Sequence, residues 1–474
     1  MNRKSILWTV LIALWGILII NEKRNSQAPT CNLYPATSNQ QQPLPNHLSL
    51  IPTSPRWKYP FKNHNAFYND NEELLFPKST LPIISISINE EAFFDYFNGI
   101  YIMGVREWEA KKTETPWWFW PANYRNRGKK WQRDAAVTFI GFKNKLLIEI
   151  AGIRINGNAT RGFPQKSLRL VFKDKSGMTG IENLFFPSVS NSDFVTMILR
   201  NAGNDWDRGF MRDVLVSALS QDLAVETQPF AAVNVFLNGE YWGIHYLRPK
   251  VDQYYLSGKY DTDVDNISMI ESPGKIYRGS DQGLKSFNTM VDFAQKNDLS
   301  DSIIYLYISE QMDIDNFIDY VSVNMIVVNT DWPQNNWLVW KNIDTAGTNQ
   351  KWQWIIKDTD YGLGFFDSEA YTYDMLQKVK NNRGPVGILF RNLMANQSFN
   401  SLFQQRFKQI ISQNWKIEHV NSVIDSLQST IQAEMPYQIN RWRTHLSIED
   451  WENEVDQIRG FYFKRNLYLK GEND

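Results

Sequence analysis

The sequence predicts an α+β protein, β-rich in its first half and helix-rich in its second. Three observations carry this reading. Short runs of alternating apolar residues recur between 82 and 247. An Asn-Gly pair joins two of them, a strong hairpin signal. After about residue 300 the apolar spacing changes to that of amphipathic helices.

Taken in order, folded sequence begins near Leu81, and Pro82–Ile88 alternates as a strand does. Ala135–Phe142 and Leu146–Ile155 form a second β-rich stretch. Between 208 and 223, Met211, Val214, Leu215, Ala218 and Leu219 fall at helical spacing. Ala231–Leu237 and Tyr241–Leu247 read as strands flanking the turn at Asn238-Gly239. Asp313 can cap a helix with Ile314, Phe317, Ile318, Val321, Met325 and Val328 along one face. Helices are also expected at 386–395, 400–413 and 417–435.

The chain has 474 residues with 50 Lys+Arg against 51 Asp+Glu, so it lacks the basic excess of a general nucleic-acid coat. A single cysteine, Cys31, excludes an intrachain disulfide and any multi-cysteine zinc site. No His-Glu-x-x-His pair is present, which argues against zincin chemistry. Near the N-terminus, Arg3 and Lys4 precede the apolar segment Ile6–Ile20. As a helix it spans about 22 Å, less than the ~30 Å hydrocarbon core. Residues 1–25 therefore read as a signal anchor, in preference to a cleaved signal peptide, with the body exported to the cell envelope. Residues 26–79, with seven prolines between 29 and 60 in a Gln/Asn/Ser-rich background, read as a linker.

The chemistry-bearing stretch runs from Asp331 to Gly364. Asp331 follows the capped helix, and Pro333 opposes its continuation. Trp337–Trp340 and Lys351–Ile356 are strand-like, separated by turn residues 344–349. An antiparallel hairpin centred on Gly347 brings Asn336 and Asp358 to the same open end, with Asp360 one alternation further on. Such a set of hard oxygen ligands suits Mg²⁺ and matches the phosphoryl-transfer template. Upstream, Gly157-Asn158-Ala159-Thr160-Arg161-Gly162 links two strands. Phe163-Pro164 follows in place of Lys-Ser/Thr, which excludes a P-loop ATPase. The alternative is a glycine loop over phosphates, with Lys166 and Arg161 as the cationic contacts.

Several ordered motifs then stand together. They are Gly152-Ile153-Arg154-Ile155, Pro164-Gln165-Lys166-Ser167-Leu168-Arg169-Leu170, Leu199-Arg200-Asn201-Ala202-Gly203-Asn204-Asp205-Trp206 and Met211-Arg212-Asp213. Phe236-Leu237-Asn238-Gly239-Glu240-Tyr241-Trp242-Gly243, Asp331-Trp332-Pro333-Gln334-Asn335-Asn336 and Lys357-Asp358-Thr359-Asp360 follow. In these, over roughly residues 81–470, the chain resembles the CotH kinase family of atypical protein kinases.

The resemblance implies a protein-kinase-like two-lobed fold, with a β-rich N-terminal lobe and a helical C-terminal lobe. A β-rich leading part at 80–150 would precede the N-lobe at 151–300, and the C-lobe would occupy 301–474. It also implies ATP with Mg²⁺ or Mn²⁺ and a serine-containing protein as acceptor. Asp331 matches the catalytic-loop Asp, and Asn336, Asp358 and Asp360 match the metal positions. Lys166 matches the phosphate-contacting Lys, near Arg161, Gly157 and Gly162. Asp213, on the helix in the place of the kinase αC, is a candidate partner for Lys166, with a core-flanking surface acid as the preferred role. The alternative is a non-catalytic, membrane-tethered scaffold or adhesion protein. Pro249 favours it, because it stands at the presumed adenine hinge without an N–H to donate. A glycosidase using two carboxylates beside Trp platforms is a third reading, without a characteristic motif.

Overall fold

Apolar alternation builds a closed barrel of seven strands in the computed structural model, which describes residues 81–104, 114, 116, 119–143, 145–172, 183–186, 189, 194–344 and 351–472. The strands are β1 (Ile83–Ile88), β2 (Arg133–Phe142), β3 (Lys145–Ile155), β4 (Leu168–Phe172), β5 (Thr196–Arg200), β6 (Ala231–Leu237) and β7 (Glu240–Pro249). Their order is β1-β2-β3-β4-β5-β7-β6, and β6 closes the ring by pairing parallel to β1. The mixed α+β content agrees with the sequence reading. The β half is nevertheless a closed barrel and not the kinase-like lobe that the resemblance implies. Closure removes both sheet edges, and it joins strands from either side of residue 150.

Ile153, Leu170 and Met197 lie directly across from one another on β3, β4 and β5 and are fully buried, as are Leu168 and Leu199. By alternation Arg154, Arg169, Arg200 and Arg248 lie on the opposite face of the same strands. The β6–β7 hairpin turns at Asn238-Gly239 as expected, with both residues at positive φ.

Beyond the barrel a second antiparallel sheet has the order β11-β10-β8-β9. It comprises β8 (Ile267–Glu271), β9 (Lys275–Arg278), β10 (Leu338–Asn342) and β11 (Gln353–Trp354). Trp337, Trp340, Trp352 and Trp354 are fully buried about this sheet; Trp337, Trp352 and Trp354 pack with Phe287, Phe317 and Tyr320, and Trp340 packs with Tyr260. The helices are α1 (Glu90–Phe94), α2 (Arg212–Leu219), α3 (Gln253–Tyr260), α4 (Asp281–Lys296), α5 (Ser302–Gln311) and α6 (Ile314–Ile326). They continue with α7 (Met375–Asn381), α8 (Pro385–Leu393), α9 (Gln397–Gln409), α10 (Ile417–Gln432), α11 (Met435–Trp442) and α12 (Ile448–Lys470). Asp313 caps α6 as expected, its Oδ1 accepting from the Asn316 N–H at 3.0 Å. That helix is buried all round from Asn316 onwards, not along one face. Its interior Asp319 is held by both nitrogens of an Arg406 fork, at 2.7 and 2.9 Å.

The segment expected to be a signal anchor, the linker after it, and the hairpin tip at Gly347 lie outside the described residues. Among the described residues no helix is long and apolar enough to cross a membrane.

His245 on β7 is fully buried, 3.3 Å from the Lys166 carbonyl oxygen and 3.4 Å from that of Gly243. Burial pushes its imidazole down to about 4, against the pull of those two carbonyls. Above pH 6.5 the ring is neutral in both folded and unfolded chains. As pH falls from 6.5 to about 4 only the unfolded chain takes up the proton, so stability falls, by about 3 kcal/mol in all. Melting curves between pH 4 and 7 should show wild type losing more stability on acidification than His245→Gln. Parallel pH profiles would remove His245 from the account.

Candidate functional site

The chain leaves α6 through a tight turn. Val328 has φ +52°, and the Asn329 amide donates to Asn324 Oδ1 at 2.9 Å. The buried Trp332 indole donates to the Tyr320 hydroxyl at 2.8 Å and pins the loop. Asp331 is thereby presented half-buried beside the helix end. Its Oδ1 accepts from Asn335 Nδ2 at 2.9 Å and its Oδ2 from Asn336 Nδ2 at 2.6 Å. Burial raises its pKa, as does the nearby Asp358 carboxylate, while the Asn335 and Asn336 amides and Lys378 oppose the rise. Lys378, on α7, donates to the Thr330 carbonyl at 2.5 Å. Burial pushes its ammonium down to about 8, against the attraction of Asp331.

The expected hairpin forms, with β10 antiparallel to β11. Its register pairs Val339 with Trp354. Extended by three residues it sets Asn336 across from Lys357, one position from the expected Asp358. Both ends of the unit leave regular geometry: Asn336 has φ +58° and Asp358 φ +48°. Asn and Asp tolerate this left-handed region better than other side chains, at some cost in strain. The Asp358 carboxylate is near enough to contribute to the rise in the Asp331 pKa.

Arg200, at the end of β5, organises the remaining acids. Its Nη2 lies 2.9 Å from Asp358 Oδ1 and 3.2 Å from Asp360 Oδ2, and its Nε lies 3.2 Å from Asp213 Oδ2. Asp213 is also bonded to Arg248 and accepts from the Thr359 N–H at 3.0 Å and its hydroxyl at 3.1 Å. Burial alone would raise the Asp213 pKa, but Arg248, Arg200 and Thr359 hold it well below the carboxylate range. Asp360 is 3% exposed, and its Oδ2 accepts from the Asn204 N–H at 2.7 Å and amide at 3.2 Å. Burial, with Asp358 and Asp213 nearby, pushes Asp360 up to about 7 despite Arg200. Gly203 allows this approach: a Cβ there would meet Asp360 Oδ2 at 2.1 Å. Asp358 is 39% exposed and is the more available of the Asp358/Asp360 pair.

The glycine loop joins β3 and β4 as expected, but its cations are engaged within it. Lys166 Nζ donates to the carbonyls of Arg161 (2.8 Å) and Phe163 (2.7 Å), and lies 4.1 Å from the Tyr124 ring centroid. Arg161 is buried and donates to the carbonyls of Ile155, Tyr124, Gly157 and Asn126 at 2.6–3.2 Å. Both residues staple the loop, with Gly157 at φ +98° supplying one carbonyl and Gly162 ending its short helical turn. Asp213 is the partner of Arg200 and Arg248, and not of Lys166. At the presumed hinge, the Pro249 carbonyl accepts from Gln228 at 2.5 Å and the Lys250 N–H is spent on Thr196 at 2.9 Å.

The site thus combines a half-buried carboxylate, a neighbouring exposed one, an amide and two flanking cations. Among the described residues no three His, Cys, Asp or Glu side chains gather closely enough to hold a metal ion. Asn336, whose Nδ2 is given to Asp331, and the 39% exposed Asp358 offer hard oxygen donors of the kind that Mg²⁺ takes alongside several waters. Arg200 and Lys378 are the residues the sequence reading missed. Arg200 stands within a quoted motif, Leu199-Arg200-Asn201, but nothing local marks it as the partner of acids up to 160 positions away. Arg200→Met should lower the unfolding free energy by about 3–5 kcal/mol, because it strands buried carboxylates. Denaturant titration reads this, and a loss under about 1 kcal/mol would contradict the role given to Arg200.

Residues 153–469, most of the chain, match the family model described as CotH kinase protein. No curated protein matches the chain. The extent of the family match establishes that this chain belongs to the CotH kinase family.

Proposed function

We propose that this chain transfers a phosphoryl group from ATP to the serine hydroxyl of a protein acceptor, with Asp331 as the base and Mg²⁺ or Mn²⁺ held by Asn336 and Asp358. The observation that carries the reading is the convergence of Asp331 and Asp358 beside Lys378 and Arg200. Asp331 orients the acceptor hydroxyl and takes its proton, a role its raised pKa favours. Lys378 faces the negative charge that builds there. Arg200 holds Asp358 in place and neutralises Asp360. A divalent ion, when bound, supplies charge neutralisation on the transferring phosphate oxygens. The apolar segment Ile6–Ile20 supports an acceptor in the cell envelope or among secreted proteins.

A second reading, a non-catalytic envelope scaffold, is favoured by the hinge, where Pro249 lacks an N–H and its neighbours' groups are spent inside the barrel. Nucleotide binding separates the two: ATP with Mg²⁺ or Mn²⁺ raises the melting temperature of an enzyme by mass action and leaves a scaffold unchanged. Radiolabel transfer from ATP to serine-rich acceptors should fall about 100-fold or more in Asp331→Asn. Lys378→Met should lower turnover more than nucleotide affinity. Equal transfer by wild type and Asp331→Asn would exclude the catalytic role.

A further inference from the structure

A second cationic region lies on the barrel, built from β3, β4, the glycine loop and residues 125–131. Arg127, Arg154, Arg161 and Arg169, with Trp131, line a cavity of about 90 Å³. Arg125 lies beside it, its guanidinium 5.2 Å from the Phe119 ring centroid. Arg154 and Arg169 are directly opposite one another on adjacent strands, an arrangement that like charges destabilise.

The hydrogen bonds of this group go to neutral acceptors. Arg154 donates twice to Gln132 Oε1, at 2.9 and 2.6 Å, and Arg169 to Asn156 Oδ1 at 2.8 Å. Arg127 reaches Asn158 Oδ1 at 3.2 Å and the Gly157 carbonyl at 3.4 Å, and Arg125 the Asn158 carbonyl at 2.7 Å. Buried nitrogens remain without acceptors: Nε of Arg169, and Nε and Nη2 of Arg125. None of these five arginines makes an ion pair among the described residues. The carboxylate that acts on Arg169 from across the cleft, Asp252, is already paired with Lys250 at 3.4 Å. Burial and mutual repulsion push Arg161 down to about 10 and lower Arg169 as well.

Converging guanidinium forks without a counter-ion are matched by a phosphate group, which accepts bidentate hydrogen bonds from arginine. The volume is that of about three water molecules, enough for one tetrahedral oxyanion and too small for a nucleoside. We propose that the forks of Arg127, Arg154 and Arg169 in this cavity bind a single phosphate group, free or carried as a monoester on a protein side chain, with Arg161, whose donors the loop carbonyls hold, adding charge alone. The site stands on its own geometry, whether or not the chain transfers phosphate.

The test is thermal shift of the full chain at low ionic strength with inorganic phosphate, an O-phosphoserine peptide and ATP, against chloride at matched ionic strength. Inorganic phosphate or the phosphoserine peptide should raise the melting temperature. The lower half-saturating concentration identifies whether the free or the protein-borne group is preferred. Arg154→Gln/Arg169→Gln should weaken the response at least tenfold. Without phosphate this variant should melt no lower than wild type, because the opposed charges are gone. Arg127→Gln, on the exposed rim, should weaken the response without touching the barrel and serves if the double variant does not fold. A phosphate response undiminished in the variants, or one no larger than that of chloride, overturns the proposal. A response to ATP alone that survives in the variants overturns it too, and leaves the nucleotide site of the preceding section untouched.

Discussion

The guanidinium of Arg200, held among Asp213, Asp358 and Asp360, ties the barrel to the helical half of the molecule. Asp360 comes from sequence 160 positions beyond Arg200, with Asp358 close by it, and the three acids would repel one another if brought together alone. Burying such charges costs several kcal/mol per ion unless opposite charge and hydrogen bonds compensate. Arg200 and Arg248 supply the charge, and Thr359, Asn204 and the main chain supply the bonds. With Asp331 and Lys378 included, four carboxylates face three cations, so one negative charge remains. Burial first, and then the Asp358 and Asp213 carboxylates, push Asp360 up to about 7, and a divalent cation beside Asp358 would offset the repulsive part.

Arg200 can do this only because its strand is rigidly placed. Asn201 follows it, donating to the Gln165 carbonyl at 2.6 Å and accepting from the Ser167 hydroxyl at 2.7 Å. The Gln165 side chain accepts from the Trp206 indole at 2.8 Å and from Gln438 on α11 at 2.6 Å, and donates to the Ile244 carbonyl at 2.9 Å. One glutamine therefore joins β4, the turn after β5, β7 and a helix near the C-terminus. Satisfied buried networks of this kind rigidify their surroundings. The motif residues around Lys166 act in this light as structural supports for the Arg200 corner.

Local features were legible in the sequence wherever local physics decides the outcome. The Asn-Gly turn, the Asp313 cap and the β10–β11 hairpin depend on residues within a few positions of one another, and all three form. Barrel closure was not legible, because it rests on parallel pairing of β1 with β6 across more than 140 residues. The cationic contacts were misread for a related reason. A lysine after a glycine loop has the right chemistry to meet phosphate, but residue type does not reveal that six nearby carbonyls and two aromatic rings compete for the Lys166 and Arg161 donors. The register was misread by one residue, since the observed ladder extended to the open end sets Asn336 across from Lys357, and both Asn336 and Asp358 leave the ladder in left-handed turns.

The same outer face of β3, β4, β5 and β7 carries two arginine groups with opposite electrostatic fates. Arg154, Arg169, Ile198 and Arg248 lie in one cross-strand row, so the apolar Ile198 separates Arg169 from Arg248. At the β7 end, α2 brings Asp213 against Arg248, and the charges cancel within the fold. At the β3 end no helix among the described residues pairs an acid with Arg154 or Arg169, and the two are held by the side-chain amides of Gln132 and Asn156. Dipoles satisfy guanidinium hydrogen bonds but cannot remove net charge, so this end retains a positive potential that the other lacks. A mobile anion satisfies both requirements at once, which a fixed carboxylate already does at the opposite end of the row.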